Sequence, residues 1–444
     1  LTVVLAIAAI TSGIGVPLAL SFVFDASRTT LNYTAAYLTG DARRDSWYPL
    51  RVGLEQIRRD PTRPVYSTLF PLRDASGGAD CRTCFKLQYS PATLWILERV
   101  RTSPFGDLTL DGPMNAAAAV AVPLIALLVF ATFRTSLAQA LDRSPGGWLE
   151  TALQFALALF FTLTFYPVVR AAYLGQAQIW VDLLFAGVVL AWMRTQRLLA
   201  GVMCGSLTLV KPTLGLLVVW ALARRQWRFL IGWTLPVAAV GLASVAAYGW
   251  GQHFDYLRFL SFASRHGESF YANQSVNGLL HRALANGLDD IWSEHFYAPY
   301  HPLVHAGTVL ATVILIGGAL FWRGRQTVRS EKTDLLLASL SMTAAAPIAW
   351  DHHYGVALPI FAAILPAIAT SAFARIGLPL LGLSYVTMSN EIRPFYGMGG
   401  SAWGLFQSYL FFAALLLVVL LHVLRIEQQH SPTATGDPTS AART

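Results

Sequence analysis

Five short polar clusters stand out in a chain that is otherwise apolar. They are Asp45 with Tyr48, Gly175-Gln176-Ala177-Gln178, Lys211-Pro212, Asn273-Gln274-Ser275-Val276-Asn277-Gly278, and Trp350-Asp351-His352-His353-Tyr354. Together they offer the parts of a group transfer: a base, a cation for an anionic leaving group, and side chains that can hold hydroxyls. A carboxylate such as Asp45 can take the proton of an attacking hydroxyl. Lys211, supplemented by His352 and His353, can stabilise an anionic leaving group. Tyr48, Tyr89, Gln176, Asn273, Gln274 and Asp351 can hydrogen-bond hydroxyls, and Trp47, Trp350 and Tyr354 can stack on a sugar or line a lipid tail. Each has a plainer role to be weighed against. Asp45 and Asp351 can cap helices, Lys211 can snorkel to an interface, and Gly175 can serve a helix crossing. Six histidines lie between His253 and His305, but only His301 and His305 have helical ligand spacing, and Pro302 interrupts it. No metal and no cofactor is expected.

The elements that must position these residues follow from composition. Of 444 residues, 55% are hydrophobic and only 13% charged, about half the share usual in a soluble domain. This excludes an ordinary soluble enzyme, a disordered chain and a nucleic-acid binder, despite a net charge of +8. The reading is an all-α polytopic membrane protein. Three cysteines are too few for a disulfide scaffold. Cys204 lies in an apolar stretch as inert packing, and Cys81 and Cys84 are better suited to a local disulfide than to zinc. The first apolar segment lacks a small-residue cleavage site and reads as a helix rather than a signal peptide.

Spans of about 20 apolar residues are expected at 1–24, 114–133, 149–166, 175–193, 229–249, 303–321, 335–350, 355–373 and 403–424, with a shorter one at 376–388. The stretch 198–223 is too long for one span and is broken at Lys211-Pro212, where Pro disfavours helix in the residue before it. Basic residues gather in cytoplasmic loops. If 198–223 is a hairpin, then Arg134, Arg143, Arg194, Arg197, Arg224, Arg225, Arg228, Arg323, Arg325, Arg329, Lys332 and Arg375 all fall on one side. As a single span it would reverse every later loop. The hairpin reading gives about twelve membrane segments, two of them short. It places two long loops, 25–113 and 250–302, outside the cytoplasm, within a membrane domain over 1–427 followed by a disordered cytoplasmic tail over 428–444. In the first loop Trp47, Leu50, Leu54 and Ile57 recur at helical spacing opposite Arg51, Glu55, Arg58 and Arg59, which marks an amphipathic surface helix. A second helix is expected over 91–101, with Pro91 in its first turn. With this topology all five polar clusters share the extracytoplasmic face.

The ordered set resembles glycosyltransferase family 87, polytopic enzymes that include mannosyl- and arabinofuranosyltransferases. The resemblance is carried by Asp45 and the amphipathic helix, Pro64-Val65-Tyr66, Gln88-Tyr89-Ser90-Pro91, Gly175-Gln176, Lys211-Pro212, Asn273-Gln274-Ser275 and Trp350-Asp351-His352-His353. It implies a GT-C type fold in the cell membrane. It also implies an inverting transfer of a sugar from a polyprenyl-phosphate donor to a glycolipid or glycan acceptor, with Asp45 as the base. The family's acid is usually followed by Tyr four positions on, whereas here Tyr48 is three on and Pro49 takes that place, so Asp41 and Asp25 stay open as alternatives. A transporter or flippase of a lipid-linked or small polar substrate is the competing reading. It would place paired charges and broken helices near the midplane, whereas here only Asp182 lies clearly inside a span.

Overall fold

A computed structural model describes residues 2–24, 29–71, 85–101, 111–141, 146–321 and 327–430. Helices dominate, and among the described residues the only β pairing is an isolated bridge between Asn273 and Trp350. Cys81, Cys84 and Asp25 lie outside the described residues, as does the tail beyond His430. The final helix, Tyr409–His430, runs through the start of the expected disordered tail.

Every expected apolar segment is helical, but they are unequal. Among the described residues six helices are long and apolar enough to cross a membrane: Leu5–Phe24, Asp111–Leu141, Trp227–His266, Pro302–Phe321, Asp351–Ala369 and Trp403–His430. A seventh is the pair Trp148–Leu163 and Tyr166–Leu174, bent by 60°. The others, including Gln178–Met193 and Ala374–Ser389, have 16 residues or fewer, or carry several charges in their first turns as in Val328–Ala345. A 16-residue helix is about 24 Å long, short of the hydrocarbon thickness of about 30 Å. The most enclosed are Gln178–Met193 and Val328–Ala345, which present buried residues on all sides.

The break at Lys211 is a true reversal. The first arm, Arg197–Val210, ends at Lys211 in extended conformation, and Pro212 opens a short 3-10 turn. Cys204 Sγ lies 3.9 Å from the Leu214 carbonyl, and a Cβ on Gly215 would touch Thr208. A continuous helix would hold residues 208 and 215 about two turns apart. Both feet of the hairpin meet one carboxylate: Arg197 pairs with Glu331 at 3.0 Å, and Gln226 donates to it at 2.7 Å. Nearby, Asp334 takes Arg224 at 2.6 Å, Arg425 at 2.6 Å and Trp220 Nε1 at 2.9 Å. The first arm crosses the Trp227–His266 helix without side chains between the backbones. A Cβ on Gly201 would lie 2.1 Å from the Phe229 carbonyl oxygen, and one on Gly232 would lie 2.1 Å from that of Leu198. Small residues at such a crossing let two helices approach closely.

The amphipathic helix spans Trp47–Arg59, with Trp47, Leu50, Leu54 and Ile57 all buried. Pro91–Arg101 has the expected bounds. Two features depart from expectation. The Trp227–His266 helix continues past a kink at Gly249, so the expected loop 250–302 begins as 17 further residues of helix before Gly267. Its Gln252 and Asp255 accept the backbone N–H groups of Val65, Tyr66 and Ser67, capping the Val65–Leu69 helix that follows Pro64. A Thr30–Thr39 helix also precedes the surface helix.

Candidate active site

Four of the five polar clusters line a cavity of about 350 Å³ at the tip of the hairpin, opposite its feet. Its first wall is built from backbone. The 43–46 strip lies along the end of the Tyr166–Leu174 helix: Arg43 N–H donates to Tyr173 O at 2.7 Å, Asp45 N–H to Leu174 O at 3.0 Å, and Ser46 N–H to Gly175 O at 3.2 Å. Gly175 adopts φ of 64°, and a Cβ there would sit 2.2 Å from the Arg43 carbonyl oxygen. Only glycine permits both the turn and the approach.

This seam aligns Gln176 with Asp45. The Gln176 Oε1 atom accepts from Ser46 Oγ at 2.8 Å and from the Tyr89 hydroxyl at 3.2 Å, which turns Nε2 toward Asp45 Oδ2 at 3.0 Å. Ser46 also touches the Tyr89 hydroxyl and accepts the Ala177 N–H at 3.0 Å. Ser46 is the residue before the helix, yet its side chain is used here rather than as a cap. Asp45 is exposed and lines the cavity with Tyr48, whose ring meets Phe85 edge-on at 5.2 Å. Asp41 is exposed but is not among the cavity residues.

The facing wall is the Asp351–Val356 turn. Asp351 Oδ2 accepts from the Tyr166 hydroxyl at 2.6 Å, and Oδ1 accepts from His352 N–H at 2.7 Å and contacts His352 Nδ1 at 3.1 Å. A carboxylate at Nδ1 fixes the proton there. His352 Nε2, buried on the cavity side and without a hydrogen-bond partner among the described residues, then presents its lone pair. His353 turns away, its ring perpendicular to that of His352, and meets Lys211 Nζ at 2.8 Å. Of the two histidines expected at an anionic group, only His352 lines the cavity.

Lys211 reaches the cavity from the hairpin tip and also donates to Gln178 Oε1 at 3.1 Å. Burial pushes its ammonium down to about 7, while the Asp182 carboxylate pulls it upward. A second lysine, Lys86, lines the rim with Trp292 and Glu294. It is neutralised by a buried ion pair with Glu268 at 2.5 Å, beneath the Tyr297 ring at 4.3 Å. Burial pushes Lys86 down and Glu268 up, and each opposes the other's shift.

Asn273 and Gln274 require a correction. Both are fully buried, and neither reaches the cavity. The Asn273 amide donates to Glu268 O and Pro347 O, and its oxygen accepts from Ser275 Oγ and Ala349 N–H. Gln274 donates to Tyr271 O and Gln407 O and accepts from the N–H groups of Leu410 and Phe411. Their amides are saturated by backbone, so they build the wall and cannot bind sugar hydroxyls. Conversely, the cavity includes Arg170, which sequence reasoning passed over. Its Nη1 donates to the Tyr33 hydroxyl at 2.8 Å, its Nε lies 3.8 Å from Asp351 Oδ2, and Tyr33 donates to Glu391 at 3.0 Å. The available signal was an Arg alone in the apolar run from Tyr166 to Leu174. No group of three or more His, Cys, Asp or Glu suited to a metal occurs among the described residues.

A solvent-facing carboxylate, an oriented imidazole and the cations Lys211, Arg170, Arg43 and Arg44 around one chamber, beside the paired Lys86, can join proton removal to stabilisation of a departing anion. A comparison with protein families matches residues 102–347 to the description "Glycosyltransferase family 87". No curated protein and no solved structure matches the chain.

Proposed function

The chain belongs to glycosyltransferase family 87, and from that premise we propose an inverting transfer of a sugar from a polyprenyl-phosphate donor to a glycolipid or glycan on the extracytoplasmic face of the cell membrane. Mannose and arabinofuranose are the sugars the family resemblance suggests. The observation that carries the reading is the single cavity that gathers Asp45, Gln176, Lys211, Arg170 and the Asp351–His352 pair from segments far apart in sequence.

In this reading Asp45 is the general base. Its carboxylate is exposed to an incoming hydroxyl, and the Gln176 amide holds one of its oxygens. As the acceptor oxygen attacks the anomeric carbon, Asp45 takes its proton and the bond to the donor phosphate breaks on the opposite side. Lys211 and Arg170 supply the positive charge and hydrogen bonding that a departing phosphate needs, while His352, its Nδ1 proton held by Asp351, offers only an acceptor at Nε2. Polar groups concentrated at one end of the hairpin favour surface chemistry over transport, for which a midplane site is expected.

The test is transfer by the purified protein from polyprenyl-phosphate mannose, and separately from polyprenyl-phosphate arabinofuranose, to a glycolipid acceptor. Asp45→Asn should lower kcat by about 10²–10⁴-fold with little change in donor binding. Full turnover by that variant would remove Asp45 as the base. Lys211→Ala should weaken binding of polyprenyl phosphate, and unchanged binding would remove the lysine from the phosphate site.

A further inference from the structure

We propose that Asp182, which lines no part of the cavity, is a positioning residue that holds Lys211 in its charged form through Gln178; this rests on the reading of Lys211 as a phosphate-binding cation. Two buried side chains, Asp182 and Gln178, stand in line with two half-buried ones, Lys211 and His353. Gln178 Nε2 donates to Asp182 Oδ1 at 2.8 Å, Gln178 Oε1 accepts from Lys211 Nζ at 3.1 Å, and Lys211 Nζ meets His353 Nε2 at 2.8 Å. The charges at the two ends of Gln178 fix its amide, with NH₂ toward the carboxylate and oxygen toward the ammonium. An ammonium has three donors. Gln178 and His353 take two, and the third is left for a ligand in the cavity that Lys211 lines.

Asp182 itself is spent poorly as a packing residue. Its Oδ2 is buried and has no hydrogen-bond partner among the described residues. The Asp351–Val356 turn closes over it so tightly that a Cβ on Gly355 would lie 2.1 Å from that oxygen. Leaving a buried carboxylate half satisfied is costly. The cost is offset where a nearby cation needs its field. His353 and His352 face Lys211 from the 351–356 turn, and Asp351, Asp45, Glu294, Arg43, Arg44, Arg170 and Lys86 line the same cavity without a hydrogen bond to its ammonium among the described residues. Burial penalises the charged forms of both Lys211 and Asp182, and across the Gln178 amide each charge opposes that penalty in the other.

The experiment measures binding of undecaprenyl phosphate to the detergent-purified protein at pH 6 and pH 8.5. The ratio of variant to wild-type Kd cancels the ligand's own ionisation. For Asp182→Asn the ratio should stay within about threefold at pH 6 and rise to about tenfold or more at pH 8.5, the effect of lowering the lysine by about one unit. In a Lys211→Arg background the guanidinium keeps its charge without help, so adding Asp182→Asn should leave the ratio near one at both pH values. A ratio that does not change with pH, or the same rise in the arginine background, would overturn the proposal in favour of a purely structural role. Should Asp182→Asn not yield folded protein, Asp182→Asn with Gln178→Glu keeps one buried negative charge beside Lys211. That double variant should fold and bind at pH 8.5 within about threefold of wild type; a folded double variant with tenfold weaker binding would overturn the proposal. Wild-type protein that fails to bind at either pH overturns the phosphate-site reading, and this inference with it. Lys211→Ala that loses binding while Asp182→Asn behaves as wild type overturns this inference alone.

Discussion

An amide that will bind backbone and an amide that will bind a sugar are the same residue type until the fold spends one of them. Asn273 makes four hydrogen bonds inside the wall, and Asn273→Ala removes them all. Because the Ser275 hydroxyl also donates to Pro347 O, the groups left without a partner are Glu268 O and the Ala349 N–H, and we expect a cost of about 1–3 kcal/mol of stability, read as a lower melting temperature, with donor and acceptor KM unchanged in the protein that remains folded. A selective rise in KM would return Asn273 to the substrate. Gln176 has the same chemistry and a different fate, because Ser46 and Tyr89 hold its oxygen and turn its nitrogen onto Asp45. Residue type and order were legible for Asp45, Gln176, Lys211 and His352. The roles of Asn273 and Gln274 were not, since they depend on which carbonyls lie opposite. His281 gives a second residue-scale expectation. Its Nε2 donates to His266 O at 2.7 Å, and Nδ1 lies 2.9 Å from the Asn286 side-chain amide and 3.0 Å from the Asn286 carbonyl oxygen. Burial pushes its folded-state value down to about 4. The unfolded chain therefore takes up this proton first, near 6.5. Stability should be complete above that pH and fall between 6.5 and about 4, by up to roughly 3 kcal/mol. His281→Gln can hydrogen-bond His266 and Asn286 without titrating, so its melting temperature should depend less on pH over that window.

At the scale of elements, the hairpin depends on how closely its first arm approaches the Trp227–His266 helix. A Cβ at Gly201 meets backbone atoms of Phe229 and Trp233 within 3 Å, and backbone cannot move aside as a flexible side chain can. Gly201→Ala should therefore separate the two helices and cost roughly 1–3 kcal/mol or more. Gly241→Ala on the partner helix, where a Cβ meets nothing within 4 Å, should be neutral or slightly stabilising. Equal thermal shifts in the two would contradict the close crossing. What the sequence revealed of these elements follows the same physics. The Trp47–Arg59 helix was readable because one face is buried and the other charged, and the reversal at Lys211 because arginines lie at both feet. The extension of helix past Gly249 was not, because a polar run such as Gln252, His253 and Asp255 resembles a loop until another segment uses it as a cap. The bend between Leu163 and Tyr166 was hidden for a related reason. The apolar run continues through it, and only the docking of the 43–46 strip on residues 173–175 shows why a separate short helix is needed.

For the whole molecule, the surplus of basic residues becomes an argument about sides. Arg197 and Arg224 stand at the feet of the hairpin, held by Glu331 and Asp334, and Lys211 stands at its tip beside the cavity. Feet and tip cannot face the same compartment if the hairpin enters the membrane. Basic excess belongs on the cytoplasmic side, and on that expectation the proposed topology turns the feet inward and the cavity outward. The chain's three cysteines make the test economical. Cys204 is fully buried in the first arm, so it should stay unreactive and serve as an internal control. Variants that retain only Cys81 or only Cys84 beside it should react with a membrane-impermeant maleimide in intact cells. With Cys81 and Cys84 removed, Gln196→Cys or Arg225→Cys at the feet should react only after the membrane is opened. The reverse pattern would turn the cavity toward the cytoplasm. An extracytoplasmic transfer would then be untenable, even with every side-chain contact around Asp45 and Lys211 unchanged.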